Sequence, residues 1–500
     1  MPATRSARPA AATRDVLDLR PVGYVVGLLV AVLGLAMLLP LALDLSVRNG
    51  HWPAFAQASI VTTLTGGLLA LACSNGVGPR LSLQQTFLLT TGVWVALPLF
   101  GAIPFMVGAK QAGFTDAYFE AMSGLTTTGS TVFEQLDAMP AGLKLWRGLL
   151  QWIGGIGIIV VAMVFLPELR VGGMQIFRSE GFDTMGKILP RAGQIASRIS
   201  VIYIALTGLC ALTYLGFGMA PLDATVHSMT TIATGGFANS DASFGAFGPG
   251  VEYSATIFMI LAALPFVRYV QLVSGTARPL LIDSQIRAFV LTLVAIVLVM
   301  TLWRWQTAPL GGFGDEEAFR KTLFNVTSIM TGTGYASADY MIWGALPVAM
   351  FFFIGLIGGC AGSTACSIKV FRYQLLFASV KAQVRRIHSP HGVFVPRYDG
   401  RPVGEDVLSS VMTFFVFFLV SLGLVAMLLS ATGLSFITSV SGAAAALANI
   451  GPGLGPEIGP AGNFAGLNPL AKWILCAAML IGRLEVMAVY AILTVNFWRT

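Results

Sequence analysis

Thr127-Thr128-Gly129 ends a segment too short to cross a membrane and precedes one long enough to do so. The same arrangement returns at Thr234-Gly235-Gly236, Gly332-Thr333-Gly334 and Asn449-Ile450-Gly451, each about one hundred residues after the last. Recurrence on that scale implies fourfold pseudosymmetry, with one chain supplying all four quarters of a pore. Glycine permits the φ > 0 torsions that aim successive carbonyls inward, and such carbonyls can replace an ion's hydration shell. A single loop of this kind would read as a glycine helix cap; four in register point to a pore.

Composition agrees. The 500 residues are 56% hydrophobic and only 11% charged, with a mean hydropathy of +0.78, whereas soluble domains carry about 25% charged residues. The net charge of +7 sits between apolar segments, as expected for cationic loops on the inner side of a membrane rather than for nucleic-acid binding. Cys73, Cys210, Cys360, Cys366 and Cys476 are scattered, with neither disulfide nor metal-ligand spacing.

A span takes about 20 apolar residues, and ten candidates follow. Two extra spans, 22–46 and 54–74, precede four units of span, short helix, glycine loop and span. The spans and short helices are expected at 82–107, 116–127 and 144–167; 195–218, 222–233 and 252–274; 286–306, 317–330 and 344–368; and 407–430, 435–448 and 470–497. The fold class is thus an all-α membrane protein with four pseudo-symmetric repeats around a central pore. Its expected division is a tail 1–20, a two-helix unit 21–80, repeats 81–170, 171–278 and 279–372, a cytoplasmic loop 373–405 and a fourth repeat 406–500. Basic residues in 170–198 and 372–401 assign both segments to the cytoplasm. Ten spans then leave both termini inside, and all four short helices re-enter from outside.

A 12-residue helix is about 18 Å long and reaches halfway into a bilayer. Its C-terminus, the negative end of its dipole, favours a cation there. Asp116, Asp223, Glu316 and Glu317 lie near the starts of these helices, where acids suit the positive end. The carbonyls expected to line the path belong to Thr127, Thr128, Thr234, Gly235, Gly332, Thr333, Asn449 and Ile450, with Gly129, Gly236, Gly334 and Gly451 supplying the torsions. Acidic residues of the outer connections, among them Glu120, Glu134, Asp137, Asp241 and Glu252, read either as a cation-concentrating mouth or as ordinary loop charge.

Ser123-Gly-Leu-Thr-Thr-Thr-Gly129, Thr231-Ile-Ala-Thr-Gly-Gly-Phe237, Thr327-Ser-Ile-Met-Thr-Gly-Thr-Gly-Tyr335 and Asn449-Ile-Gly-Pro-Gly-Leu-Gly455 resemble the four filter segments of the Trk/Ktr/HKT potassium transporter superfamily. Gln151-Trp-Ile-Gly-Gly-Ile-Gly157, Gly358-Gly-Cys-Ala-Gly-Ser-Thr364 with Lys369, and Gly482-Arg-Leu-Glu485 narrow the resemblance to its bacterial TrkH/TrkG branch. The resemblance implies inward transport of K+, with Rb+ also accepted, across the bacterial inner membrane. It also implies a homodimer with one pore per subunit and a cytoplasmic, nucleotide-binding, TrkA-type regulatory partner. Either gated-channel or ion-coupled symport behaviour is consistent with it. The segment containing Gly358, Gly359, Gly362, Ser363 and Thr364 would form an intramembrane gating loop under the filter, with Lys369 as its anchor. Cys366-Ser367 stand where the family has a glycine run, which stiffens this loop; the alternative is a helix-packing face of small residues.

Arg483 lies within an apolar span, where an ionisable residue normally faces a cavity or the bundle interior. It reads as a positive barrier beneath the filter, or as a partner of Glu485 or of a backbone carbonyl. Arg372 reads as an inner-surface anchor or a snorkelling residue. The chain has no phosphate-binding loop and no cluster of nucleophile and base, so neither ATP hydrolysis nor other enzyme activity is expected, nor any organic cofactor. The rival reading is an alternating-access transporter of another cation or small solute, which would require inverted rather than parallel repeats.

Overall fold

The computed structural model describes residues 17–76, 81–161, 192–307 and 315–499. Most of the tail 1–20 and of the basic segment 170–198 lies outside the described residues. The chain is an all-α membrane protein with four repeats of span, short helix, loop and span, preceded by two further apolar helices. Among the described residues, seven helical segments are long and apolar enough to cross a membrane: Arg20–Val47, Trp52–Gly76, Leu83–Val107, Ala141–Val160, Ala196–Gly216, Ser284–Thr307 and Glu405–Ala431.

The other three expected spans are broken, each at the second span of a repeat. Pro249–Ala262 and Phe266–Val273 meet at 90°, because Pro265 lacks an amide hydrogen and restricts the residue before it. Pro469–Arg483 and Met487–Leu493 meet at 111°, with Glu485 and Val486 both left-handed at φ 62° and 55°. The third begins as Ala345–Gly355, leaves helical geometry, and resumes as Val370–His388. The basic segment from Arg372 is therefore largely helical at first, and Arg372 itself is fully buried.

The first two helices pack through small residues that let backbones approach. A Cβ on Gly27 would lie 2.6 Å from Ala70 N, and one on Gly66 the same distance from Gly27 O. Asp44, at the end of the first span, accepts from His51 Nδ1 and from the Gly142 amide at 2.9 and 2.7 Å, tying this pair to repeat one.

The four short helices are Phe114–Leu125, Pro221–Ile232, Glu316–Met330 and Phe436–Ala448. Their starts are encoded locally. Pro221 occupies the first turn of the second, where its missing donor costs nothing. Asp315 and Ser435 cap the third and fourth with side-chain oxygens. These helices are buried over most of their length, whereas the long helices expose leucine, valine and isoleucine outward.

Candidate ion-conduction site

Each short helix ends in a left-handed residue: Thr127 at φ 53°, Thr234 at 50°, Gly332 at 76° and Asn449 at 51°. In three of them two hydrogen bonds close the end. The Thr127 and Thr128 amides donate to Gly124 and Ser123 (3.0 and 2.9 Å), those of Thr234 and Gly235 to Thr231 and Thr230 (3.0 and 2.8 Å), and those of Asn449 and Ile450 to Ala446 and Ala445 (3.2 and 2.9 Å). This is the Schellman pattern, which satisfies the helix's last carbonyls. The third helix differs by one residue, with Gly332 and Gly334 donating to Ile329 and Ser328 at 3.1 Å. The left-handed cap thus falls on the first residue of each triplet, two positions before the glycine that suggested it. Threonine is an outlier there; such strain costs about 1–3 kcal/mol and gathers at functional sites.

The triplets then meet in a ring. A Cβ on Gly129 would overlap the Gly235 carbonyl oxygen, and one on Gly236 that of Thr333. One on Gly334 would lie 2.7 Å from Gly451 N, and one on Gly451 3.0 Å from Gly129 O. The loops therefore touch in the order one, two, three, four, one. Gly129, Gly236 and Gly334 are left-handed at φ 87°, 79° and 83°, whereas Gly451 is not; its small size answers to close approach alone. Of the twelve carbonyl oxygens in the triplets, only those of Gly235 and Gly451 accept a hydrogen bond from a described residue, namely Gln151 Nε2 at 2.5 Å and Ser130 Oγ at 2.8 Å. Seven of the ten unengaged carbonyls belong to buried residues, where carbonyls normally find partners; the ring could hold water or a cation there.

Cavities lie against both ends of the ring. One of about 540 Å3 is lined on the glycine side by Gly129, Gly236, Gly334 and Gly451, with Arg147 and Asp241. The other, of about 380 Å3, is lined by Asn449, Cys366, Lys369, Arg483 and Glu485.

The shell that holds the loops is largely ionic. Glu120, fully buried, accepts from Arg147 Nε at 2.8 Å and from the Val132 amide at 3.0 Å. Arg147 also donates to the Ala238 carbonyl of loop two at 2.7 Å. Glu252 accepts from Arg320 and Lys321 at 2.6 and 2.5 Å, and Lys321 reaches Ser337 O at 2.9 Å. Lys472 pairs with Asp116 at 2.7 Å. Glu120 and Glu252 are thus loop supports rather than mouth charges. At the outer connections, Lys110 lies 5.6 Å from the Phe133 ring, and partial burial lowers its ammonium pKa. Asn449 Nδ2 bridges Thr128 Oγ1 (3.1 Å) and Met479 O (2.9 Å), joining loops four and one. The sequence reading missed Arg147, whose one signal was a charge inside an expected apolar span; Gln151 stood in a quoted motif without a role.

The non-helical stretch Leu356–Lys369 lies next to the ring's first residues. A Cβ on Gly332 would lie 3.3 Å from Cys366 N, and Cys366 Sγ is 3.6 Å from Thr127 Oγ1. Cys366, Lys369 and Arg483 come together there. Gly359, Gly362 and Thr364 instead fasten the stretch to the Pro265 break and its own exit: Phe266 N donates to Gly362 O (2.9 Å), Thr364 Oγ1 to Ala262 O (3.0 Å), and Val370 N to Gly359 O (3.2 Å). Gly358 N bonds Ile368 O at 2.9 Å, and Ser363 Oγ bonds Cys360 O at 2.7 Å. Two backbone breaks thus satisfy one another's polar groups, as a membrane interior demands. Lys369 Nζ donates to Ala365 O.

Arg483, 4% exposed, donates to Cys366 Sγ and, at 3.3 Å, to Gly154 O. Glu485 is not its hydrogen-bond partner; the Glu485 carboxylate accepts from Arg372, whose guanidinium lies 3.8 Å from the Phe414 ring. Arg372 is therefore a buried anchor rather than a snorkelling residue. Asn325 is buried within the third short helix and bonded to Lys321 O and Ser337 Oγ. Among the described residues no group of histidine, cysteine and carboxylate side chains, His388 and His391 included, is arranged to hold a metal ion.

Four short buried helices whose end loops close one ring, in one multi-pass chain, define the class as a membrane transport protein. The family described as TrkH, cation transport protein, matches residues 51–497. The chain is 43% identical to the Trk system potassium uptake protein TrkI of Halomonas elongata, over 96% of this chain and 97% of that one. It is 35% identical to the TrkH protein of Escherichia coli K12, over 97% and 100%. The crystal structure of the potassium transporter TrkH from Vibrio parahaemolyticus superposes with a TM-score of 0.88 at 32% identity, covering 96% of this chain and all of that one. The chain belongs to the TrkH family of cation transport proteins, a transport family rather than an enzyme family.

Proposed function

We propose that the chain takes up K+ through the ring of four loops, with Thr127, Thr128, Gly129, Thr234, Gly236, Gly332, Thr333, Gly334, Asn449 and Ile450 offering the free carbonyls. Gly235 and Gly451 complete the ring with carbonyls already bonded. The observation that carries this reading is the closed ring itself, with ten carbonyls free of a described protein donor, seven of them in buried residues, at the C-terminal, electronegative ends of four short helices. Relatives named as potassium uptake proteins along the whole chain support the choice of ion. The membrane potential would drive uptake, at about 2.3 kcal/mol per charge per 100 mV.

The stretch 356–369 acts as the gate, with Arg483 as a fixed positive barrier on the same side of the ring. The protein sits in the bacterial inner membrane with both termini in the cytoplasm, as a homodimer regulated by a TrkA-type nucleotide-binding subunit that acts on the cytoplasmic ends of the gating segment. The test is cation flux in proteoliposomes of the purified chain, with K+, Rb+, Na+ and Li+ compared with and without a pH gradient. Rapid K+ and Rb+ flux with slow Na+ and Li+ flux is expected. Saturable transport of an organic solute without K+ flux would favour alternating access instead, and K+ flux that requires the pH gradient would favour symport over a channel.

A further inference from the structure

At its second level the ring departs from fourfold equivalence at one carbonyl, and the cause is a side chain from a different repeat. Gln151, on the helix Ala141–Val160, is fully buried. Its Nε2 donates to Gly235 O at 2.5 Å, and its Oε1 accepts from the Phe237 amide at 3.1 Å. The side-chain amide therefore clips loop two on both sides of Gly236. A second observation fits the same contact. Gly235 has no left-handed torsion that would demand glycine, yet a Cβ there would overlap the Gln151 amide. The equivalent positions carry Thr128, Thr333 and Ile450. Glycine at 235 thus makes room for the glutamine, and the glutamine occupies the one second-position carbonyl that has a protein donor.

The geometry points to Gln151 as a selectivity-determining positioning residue. At the second level of the ring, the Thr128, Thr333 and Ile450 carbonyls are open to an ion, while the fourth is already held by an amide hydrogen. A carbonyl that donates part of its lone-pair density to a hydrogen bond is a weaker cation ligand, and one clipped at two points cannot close around a smaller ion. Both effects disfavour Na+, whose tighter shell needs strong ligands drawn inward, whether filter size or ligand field dominates. Loss of the clip should let Gly235 O swing toward the axis and admit Na+.

The inference rests on the proposed K+ pathway, and the test separates the two. Wild-type chain, Gln151→Met and the double variant Gln151→Ala/Gly235→Ala are purified and reconstituted, and Rb+ and Na+ fluxes are measured under identical gradients. Gln151→Met keeps the length of the side chain but cannot donate; the double variant refills the space with a methyl group, also without a donor. Both should lower the Rb+/Na+ flux ratio about tenfold, the scale of one hydrogen bond, and Gln151→Met, which leaves the ring residues intact, should still carry Rb+. Wild-type chain without selective Rb+ flux would sink the pathway reading. Selective wild type with an unchanged ratio in Gln151→Met would overturn the role of Gln151 and leave the pathway standing. A lowered ratio in Gln151→Met but not in the double variant would assign the effect to packing and overturn the hydrogen-bond argument.

Discussion

Replacing the ring glycines by serine one at a time should not give four equal outcomes. Gly129, Gly236 and Gly334 sit at φ 87°, 79° and 83°, where an L-residue costs about 1–2 kcal/mol. At Gly129 and Gly236 the new Cβ also collides with a neighbouring loop's carbonyl oxygen, so the ring must open to relieve it. Gly451 carries no such torsion, and a Cβ there meets Gly129 O at 3.0 Å, a contact relieved by a shift of a few tenths of an ångström. If the strain appears in the ion-selective state, Gly129→Ser, Gly236→Ser and Gly334→Ser should each lower the Rb+/Na+ flux ratio by roughly 5- to 30-fold, and Gly451→Ser by clearly less. Flux in proteoliposomes gives the ratio. The external K+ needed for growth of an uptake-deficient host gives an independent ranking, and thermal unfolding in detergent checks that each variant is folded. A Gly451→Ser variant as impaired as Gly129→Ser would refute the argument from torsion, and four unchanged ratios would refute the ring as the selective element.

Arg483→Ala removes the guanidinium that bridges Cys366 and Gly154 and should raise K+ current in a folded protein; current at or below wild type would mean the residue only fastens the break. Cys366→Gly deletes a side chain in contact with both Arg483 and Thr127 and should raise basal flux by less than Arg483→Ala does. Removing residues 358–367 should make flux independent of any regulatory subunit, and a folded deletion variant that still needs its partner and nucleotide to conduct would end the gate reading. Glu120→Ala strands the Arg147 guanidinium in a buried site and should destabilise the protein by about 3–5 kcal/mol, read as a lowered unfolding temperature; the double replacement of Glu120 and Arg147 by methionine should recover much of that loss.

The repeats and their order were legible because a span is a long local pattern, and hydropathy averaged over about 20 residues needs no knowledge of neighbours. Nearly all the short helices and spans were expected within a few residues of their observed ends. Pairing was less legible. Glu120 and Glu252 looked like mouth acids, since nothing near them in sequence announces Arg147 or Arg320 as partners. For Arg483 the alternative to a barrier was a partner in Glu485 or a backbone carbonyl; it donates to the Gly154 carbonyl, and the bend leaves Glu485 to Arg372, more than one hundred residues away in the chain.

The broken spans carry the same lesson further. Pro265 marks one break by its chemistry, and the glycines from Gly358 to Gly362 mark a second. The third, at Glu485-Val486, has neither residue; a β-branched valine at φ 55° is among the least expected hosts for left-handed backbone. Such a conformation persists only where the surroundings over-determine it, and here they do so from both sides. Arg372 holds the Glu485 carboxylate from the first turn of the helix that follows the stretch 356–369, while Arg483, two residues earlier in the bent span, holds Cys366 within that stretch. The strained bend and the stretch 356–369 are thus tied at two points. A displacement of the Val370–His388 helix would draw on Glu485 through Arg372 and, through the same bend, shift Arg483 relative to Thr127. That coupling predicts that Arg372→Met, which keeps the packing against Phe414 but frees Glu485, should weaken the response of flux to a regulatory partner more than it changes the Rb+/Na+ ratio. An altered ratio with intact regulation would assign Arg372 to the ring rather than to the link between gate and bend.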